Sequence, residues 1–290
     1  MALVPHSHAG QVWVPGGLSV LGSDDGYADE GPRLSVQVQG FWMDRTEVTN
    51  GQFAAFVRAT GHVTDAELQG GAAIFEVPDE ETLRSRPVAW WRFARGANWR
   101  QPRGPGSSIQ GHETEPVVLV TRADALAYAR WLGRDLPTEA EWEHAAKARS
   151  ATRRIEAGPR DARGRPTANY WQGNFPLLDT GEDGHAGLAA VGCYAPNALG
   201  LYDMIGNVWE WTRDNHSGAR QPHANGDVAL VSGWGQAHGP RGDLSAKAVI
   251  KGGSFLCSPD YCVRYRASAR EAQEPDLPTA HVGFRTVSRR

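Results

Sequence analysis

Two of the chain's three cysteines, Cys257 and Cys262, lie five residues apart in the stretch Lys251-Gly252-Gly253-Ser254-Phe255-Leu256-Cys257-Ser258-Pro259-Asp260-Tyr261-Cys262-Val263-Arg264-Tyr265-Arg266. Thiols so close in sequence support three chemistries: a structural disulfide, a dithiol redox couple, or a soft-metal site. The thiolate is the reactive form, and fixed positive charge beside a thiol favours it. Arg264, Arg266 and Arg270 are candidates for that charge, with ordinary surface charge as their alternative. Two thiolates without further ligands suit low-coordinate Cu(I) best, because a structural zinc takes four. No second cysteine pair and no His-x3-His pattern is present to complete a zinc finger.

Two further segments carry hard oxygen donors of the kind calcium takes. One runs from Asn169-Tyr170 to Asp183-Gly184-His185, the other from Asp203 through Gly206 and Val208 to Glu210. Neither has the spacing of an EF-hand, and both also read as polar loops with core tryptophans. Cys193 stands alone and reads as a small buried hydrophobe. Gly252-Gly253-Ser254 precedes no helical pattern, so a phosphate-cradling loop is not indicated.

The elements that must position these groups are short. Residues 11–48 read as strands and turns, with Val12, Val14, Val36 and Val38 alternating. Thr49 looks like the N-cap of a helix that buries Phe53, Phe56 and Val57. Residues 61–120 read as irregular, with Gly70-Gly71 and 102–108 as turn material. Thr121 to Asp124 resembles a capping start, followed by Ala125, Leu126, Ala129 and Leu132 at helical spacing up to Gly133. Thr138 and Glu141 form a capping box for a helix that buries Trp142, Ala145 and Ala146. Residues 150–168 read as a surface loop. Turns then dominate until strands at 248–255 and 281–287.

Composition bounds the partners. Thirty basic against 33 acidic residues leave a net charge of −3, which makes no electrostatic case for nucleic acid or an anionic membrane. The start, Met1 to His8, has neither a basic nor an apolar signal region, and no apolar run approaches the roughly 18 residues of a membrane span. A cytoplasmic monomer is expected, where a close cysteine pair leans toward metal or redox chemistry. With 34 glycines, 18 prolines and 11 tryptophans, the fold is expected to be loop-rich and pinned by large aromatics. The reading is an α+β chain with low regular secondary structure: a mobile tail over 1–10 and a single mixed domain over 11–290.

Leu136-Pro137-Thr138-Glu139-Ala140-Glu141-Trp142-Glu143, Gly206-Asn207-Val208-Trp209-Glu210-Trp211, Lys251-Gly252-Gly253-Ser254 and Gly283-Phe284-Arg285 resemble, in order, the sulfatase-modifying-factor family. Cys257-x4-Cys262 within its Gly-Gly-Ser and Cys-x-Arg-Tyr-Arg surroundings is similar to the formylglycine-generating enzymes of that family. The resemblance implies the formylglycine-generating-enzyme, C-type-lectin-like fold. It also implies oxidation of the cysteine in an unfolded sulfatase Cys-x-Pro-x-Arg segment to formylglycine, with O2 and a thiol reductant. Cu(I) would then be held by Cys257 and Cys262. Ser254 and Tyr261 would contact oxygen or water, and Trp209 would shape a dry pocket. Structural calcium, two ions, would be held by Asn169, Tyr170, Asp183 and His185, and by Asp203, Gly206, Val208 and Glu210.

The chain departs from the family in two places. Ala267 stands at a position where relatives from oxidising compartments carry a disulfide cysteine. Near the position of Gly71 some relatives carry an acidic residue thought to receive the substrate arginine, and this chain does not, so His281 and Arg264 are the expected peptide contacts. Three readings follow: the formylglycine-forming oxidase, a copper oxidase of another thiol, and a non-catalytic peptide- or ligand-binding module on the same fold.

Overall fold

The computed structural model describes residues 8–86, 88–148, 159–218, 229–231 and 246–289. Alternating residues open the chain as four strands, β1 (Gln11–Val14), β2 (Gly17–Leu21), β3 (Leu34–Val38) and β4 (Phe41–Asp44). Val12, Val14, Val36 and Val38 all face the core, as the period of two requires. The tail expected over 1–10 is anchored where it is described: His8 stacks on Trp42 with centroids 4.3 Å apart, and Gln11 N donates to His8 O. Residues 1–7 of that tail, and residues 149–158 at the surface-loop region, lie outside the described residues.

α1 (Asn50–Thr60) begins at a capping box, Thr49 with Gln52, and buries Phe53, Phe56 and Val57. The following region, expected to be irregular, contains α2 (Asp65–Gln69), β5 (Gly71–Phe75), α3 (Glu80–Ser85) and β6 (Trp91–Arg95). Gly70 is the left-handed cap of α2, and Gly71 already belongs to β5. The glycine pair therefore joins two elements so short that neither shows a clear period. β5 and β6 pair antiparallel from Gly71↔Arg95 to Phe75↔Trp91.

α4 (Arg122–Trp131) and α5 (Glu139–Lys147) start at the expected capping boxes on Thr121 and Thr138. The stretch beyond α5 that reads as turns holds more than turns. It contains β7 (Gly173–Asn174), β8 (Leu178–Asp179), β9 (Trp209–Asn215) and β10 (Ala229–Val231). The chain closes with β11 (Ala248–Lys251), β12 (Arg270–Gln273), β13 (Val282–Gly283) and β14 (Val287–Ser288).

β9 lies inside the sheet β12-β11-β9-β13, pairing antiparallel with β11 and parallel with β13. It escapes sequence reading because Glu210 and Thr212 are buried with Trp209 and Trp211, so no polar face marks it. The other sheets are β1-β4-β14, β10-β3-β2 and two hairpins, β5-β6 and β7-β8. α5 packs on β2, β3, β9 and β11, which ties the amino-terminal strands to the central sheet. The mixed α+β fold with little regular structure stands as expected. No helix among the described residues is long and apolar enough to cross a membrane.

Candidate active site

β11 delivers the chain into the cysteine loop through two glycines. Gly252 and Gly253 have φ of +100° and +77°, where side chains are strained. A Cβ on Gly252 would lie 3.0 Å from the Trp142 ring, and one on Gly253 would lie 2.8 Å from Tyr265 Cα. The loop is then closed by Ser258 and Cys262, whose backbone N–H groups each donate to the other's carbonyl at 3.0 Å. Trp171 N donates to Cys257 O at 2.9 Å and fixes the loop from the opposite side. The two sulfurs come to 3.5 Å and carry free thiols.

The two thiols are unequal. Cys257 is buried, and burial pushes its thiol well above the ordinary range, with the neighbouring Cys262 adding to the shift. Cys262 is half-buried. The hydrogen bond from Cys257 pulls the Cys262 thiol down, against burial, and Arg264 adds its backbone N–H and its charge. The two thiols are therefore pushed in opposite directions, Cys257 up and Cys262 down.

Of the three arginines, only Arg264 acts on the pair in this way. Its guanidinium lies over the Tyr27 ring at 4.0 Å and pairs with Asp29 and Glu271, each at 3.1 Å. Its charge is thus already matched by two carboxylates, which leaves His281 as the less committed of the two expected peptide contacts. Arg266 pairs with buried Glu30, and Arg270 pairs with Glu139 at 3.0 Å. Neither is surface charge, and neither faces a thiol. Tyr27, Asp29 and Glu30 belong to the β2–β3 connection, which nothing in the sequence marked as part of the site.

Ser254 is fully buried; its N–H points to Cys257 Sγ at 3.4 Å, and its Oγ accepts from Leu256 N at 3.2 Å. Trp209 is buried in the same apolar cluster as Cys257 and Tyr265, and Trp209 N donates to His281 O at 2.9 Å. Tyr261 is half exposed, lying flat on Phe175 and edge-on to Trp90. From Tyr261 a run of ring contacts passes through Phe175, Trp171, Phe75 and Trp91 to His281. Burial pushes the His281 imidazole down to about 3, so it is neutral, and its Nδ1 is buried without a hydrogen-bond partner. The abundance of tryptophan suggests aromatics that pin the fold; the rings of this surface come together from five separate segments, around 75, 90, 171–175, 261 and 281. Cys193 departs from expectation: it is exposed rather than buried.

The expected oxygen donors fall into two hydrogen-bonded sets. Asp183 accepts from Tyr170 N at 2.9 Å and His185 N at 3.0 Å, and the Gln172 amide joins Asp183 Oδ2 to Tyr170 O. Asn169 is buried beside them, bonded to Gly187 O at 2.7 Å. These oxygens are of the type a hard cation takes, and Asp183 and Tyr170 O here accept N–H donors. In the second set Glu210 is taken: both its oxygens accept from Arg285 at 2.7 Å, and Trp142 Nε1 adds a bond at 2.8 Å. Asp203 instead accepts from Gly192 N at 2.6 Å. Gly206 N is bonded to Gly252 O and Asn207 N to Asn169 O, so the 203–210 turn is welded to both the glycine pair and the first set. Among the described residues, no three His, Cys, Asp or Glu side chains gather as metal ligands would.

Comparison with known proteins shows the family and the fold. The family profile described as "Sulfatase-modifying factor enzyme 1-like domain" matches residues 3–290. The formylglycine-generating enzyme of Streptomyces coelicolor is 45% identical, over 98% of this chain and 90% of its own. A Bos taurus relative named "Inactive C-alpha-formylglycine-generating enzyme 2" is 37% identical, over 96% of this chain and 87% of its own. The solved structure of PvdO from Pseudomonas aeruginosa superimposes with a TM-score of 0.62 at 26% identity, covering 96% of this chain and 93% of its own. With its paired thiols at the end of a glycine turn, the chain belongs to the sulfatase-modifying-factor family of formylglycine-generating enzymes.

Proposed function

We propose that this protein is a copper-dependent oxidase that converts the cysteine of a Cys-x-Pro-x-Arg segment in an unfolded sulfatase to formylglycine. The observation that carries the reading is the pair of free sulfurs 3.5 Å apart, one buried and one half-buried beside an aromatic surface. Two soft donors with one side open fit Cu(I) and leave room for a third sulfur from the peptide. When bound, Cu(I) supplies the one-electron chemistry by which O2 reacts with a thiolate. The overall conversion balances as one peptide thiol, one O2 and two reductant thiols giving one aldehyde, one hydrogen sulfide, one water and one disulfide.

The chain's own residues supply position and dryness. Trp209 and Tyr265 exclude water around Cys257, and Ser254 N–H orients its sulfur. Tyr261, Phe175 and Trp90 offer aromatic faces to an extended peptide, with neutral His281 at the far end of the ring run. The three cysteines are free, which suits a reducing cytoplasm.

A second reading, a copper oxidase of another thiol, draws on Gly71. A Cβ there would lie 2.8 Å from the Phe93 ring, so this chain has no room for an acidic side chain at that point. Titration of the reduced protein with Cu(I), then mass spectrometry of a Cys-x-Pro-x-Arg peptide and its Arg→Ala variant in air with a thiol, tests both. Tight copper and an aldehyde on the first peptide alone support the sulfatase reading. Equal turnover of both peptides supports the other. Absence of copper uptake and turnover overturns both and leaves a binding module.

A further inference from the structure

The register of the β5–β6 hairpin decides which of its backbone groups are engaged. Ala73 lies opposite Phe93. Ala73 N donates to Pro278 O and Ala73 O accepts from Ala280 N, each at 3.0 Å, so both backbone groups of Ala73 point away from β6. In an antiparallel ladder the residue opposite such a position also turns its N–H and C=O outward. Phe93 therefore presents both groups at the outer edge of β6. On one side of it Trp91 N already donates to Val88 O; on the other, Arg95 O is approached by Gly104, where a Cβ would lie 3.8 Å away. Among the described residues, no group from outside the hairpin bonds to Phe93 N or O.

Exposed edges are ordinarily blunted by proline, lysine or a bulge. This edge has a phenylalanine at its centre, 52% exposed, in a ladder that runs without a register shift. Ala72, Ile74 and Ala94 are buried on the inner face of the hairpin, so Phe75, Trp91 and Phe93 share the outer one. Trp91 meets His281 there, with ring centroids 4.7 Å apart. β6 begins one residue after Trp90, whose ring meets that of Tyr261 at 5.1 Å, and Tyr261 adjoins Cys262. The edge thus starts beside the thiols and runs away from them, and Phe93 lies about 10 Å of extended chain beyond Trp90.

We propose that β6 holds the peptide substrate by strand addition: a flank of the segment, roughly three to five residues from the reacting cysteine, pairs with the N–H and C=O of Phe93. The inference rests on the sulfatase-peptide reading of the thiol site. Main-chain pairing is indifferent to sequence and requires an extended segment, which an unfolded chain offers. The side chain opposite Phe93 falls on the same face as Phe93 and Trp91, so an apolar or aromatic residue is favoured there. Continuity with the thiol site favours this occupant over a second copy of the chain.

The probe is a Cys-x-Pro-x-Arg peptide with about ten residues on either side, in its Cys→Ser form, bound to the full-length copper-free protein. Exchange of the Phe93 amide, read by NMR, is expected to slow by roughly tenfold or more when the peptide saturates. Peptides that each carry one N-methyl amide are expected to lose roughly 3–10-fold in affinity at one flank position and to bind normally when its two neighbours are methylated. Phe93→Pro removes the outward N–H at an edge position that tolerates proline. It is expected to weaken the parent peptide by a similar factor and to erase the N-methyl effect, while Phe93→Leu keeps that effect. Should Phe93→Pro fail to fold, amide exchange and the N-methyl series on the wild type carry the test. Unchanged exchange at Phe93 with the peptide bound, or a peptide that does not bind, would overturn the proposal. So would protection that follows protein concentration without peptide, which would assign the edge to a second copy. Aldehyde formation on the cysteine peptide with copper is scored separately. Turnover without protection at Phe93 sinks the strand addition alone, and protection without turnover upholds it while sinking the oxidase reading.

Discussion

Tyr261 lies flat against Phe175, with ring centroids 4.5 Å apart and planes 9° from parallel, one residue before the half-buried Cys262. Half of Tyr261 is exposed, so the stack holds a surface in place more than it holds the fold together. Stacked aromatic pairs are worth about 0.5–1.5 kcal/mol beyond their buried area. Tyr261→Ala is expected to raise KM for the peptide by roughly 3–10-fold with little change in Tm. Tyr261→Phe keeps the stack and should keep KM. If the hydroxyl contacts oxygen or water, that variant lowers kcat, and steady-state kinetics on both variants separate the two roles.

The inequality of the thiols predicts selective chemistry. Cys262 is half-buried with its thiol pulled down, and Cys257 is buried with its thiol pushed up. Brief treatment of the reduced protein with iodoacetamide is therefore expected to label Cys262 and exposed Cys193 and to spare Cys257. Labelling of Cys262 should set in at lower pH than that of Cys193, whose thiol burial pushes up. Peptide mapping across pH 6–9 reads this directly, and prior labelling of Cys257 would contradict the division of roles. The double variant Cys257→Ser/Cys262→Ser is expected to bind no copper and form no aldehyde.

Much of the site was legible because its chemistry is local. The cysteine pair, its two glycines and the capping boxes of α4 and α5 each depend on residues within a few positions of one another. What was not legible depends on contacts across the chain. The sequence around Arg264 does not show its partner Asp29, which lies 235 residues away. Around Glu210 the sequence shows only oxygen donors; the fold alone brings Arg285 against it, 75 residues on. β9 was missed for the same reason, since a buried glutamate whose partner is distant reads as a polar break in a strand.

Asp214 predicts how stability changes with pH. Burial, with Glu139 and Glu141 nearby, raises its carboxyl to about 6, despite the bond from Glu139 N at 2.6 Å. A carboxyl whose folded pKa lies above its unfolded value stabilises the fold only where it is protonated. Its contribution is whole below the unfolded value near 3.8 and is lost as pH rises to about 6. Asp214→Asn is therefore expected to be more stable than the wild type above pH 6, by on the order of 2 kcal/mol, with the difference vanishing below pH 4. Urea melts across that range decide it, and a variant equally destabilised at every pH would show that the charge is needed.

Arg285 and Glu210 form a deeply buried ion pair beside the site, joined by two bonds of 2.7 Å and both essentially inaccessible. Such a pair loses much of its attraction to desolvation, but removal of one partner strands the other. Arg285→Met is expected to cost about 3–5 kcal/mol, because Glu210 keeps only the Trp142 Nε1 bond and three backbone carbonyls lose their donor. Adding Glu210→Met removes the stranded charge but leaves Trp142 Nε1 without its acceptor, a loss of about 1–3 kcal/mol. The double variant should therefore be more stable than Arg285→Met alone, with strong non-additivity in a double-mutant cycle. If the two losses simply add, the charge on Glu210 is compensated from elsewhere in the cluster.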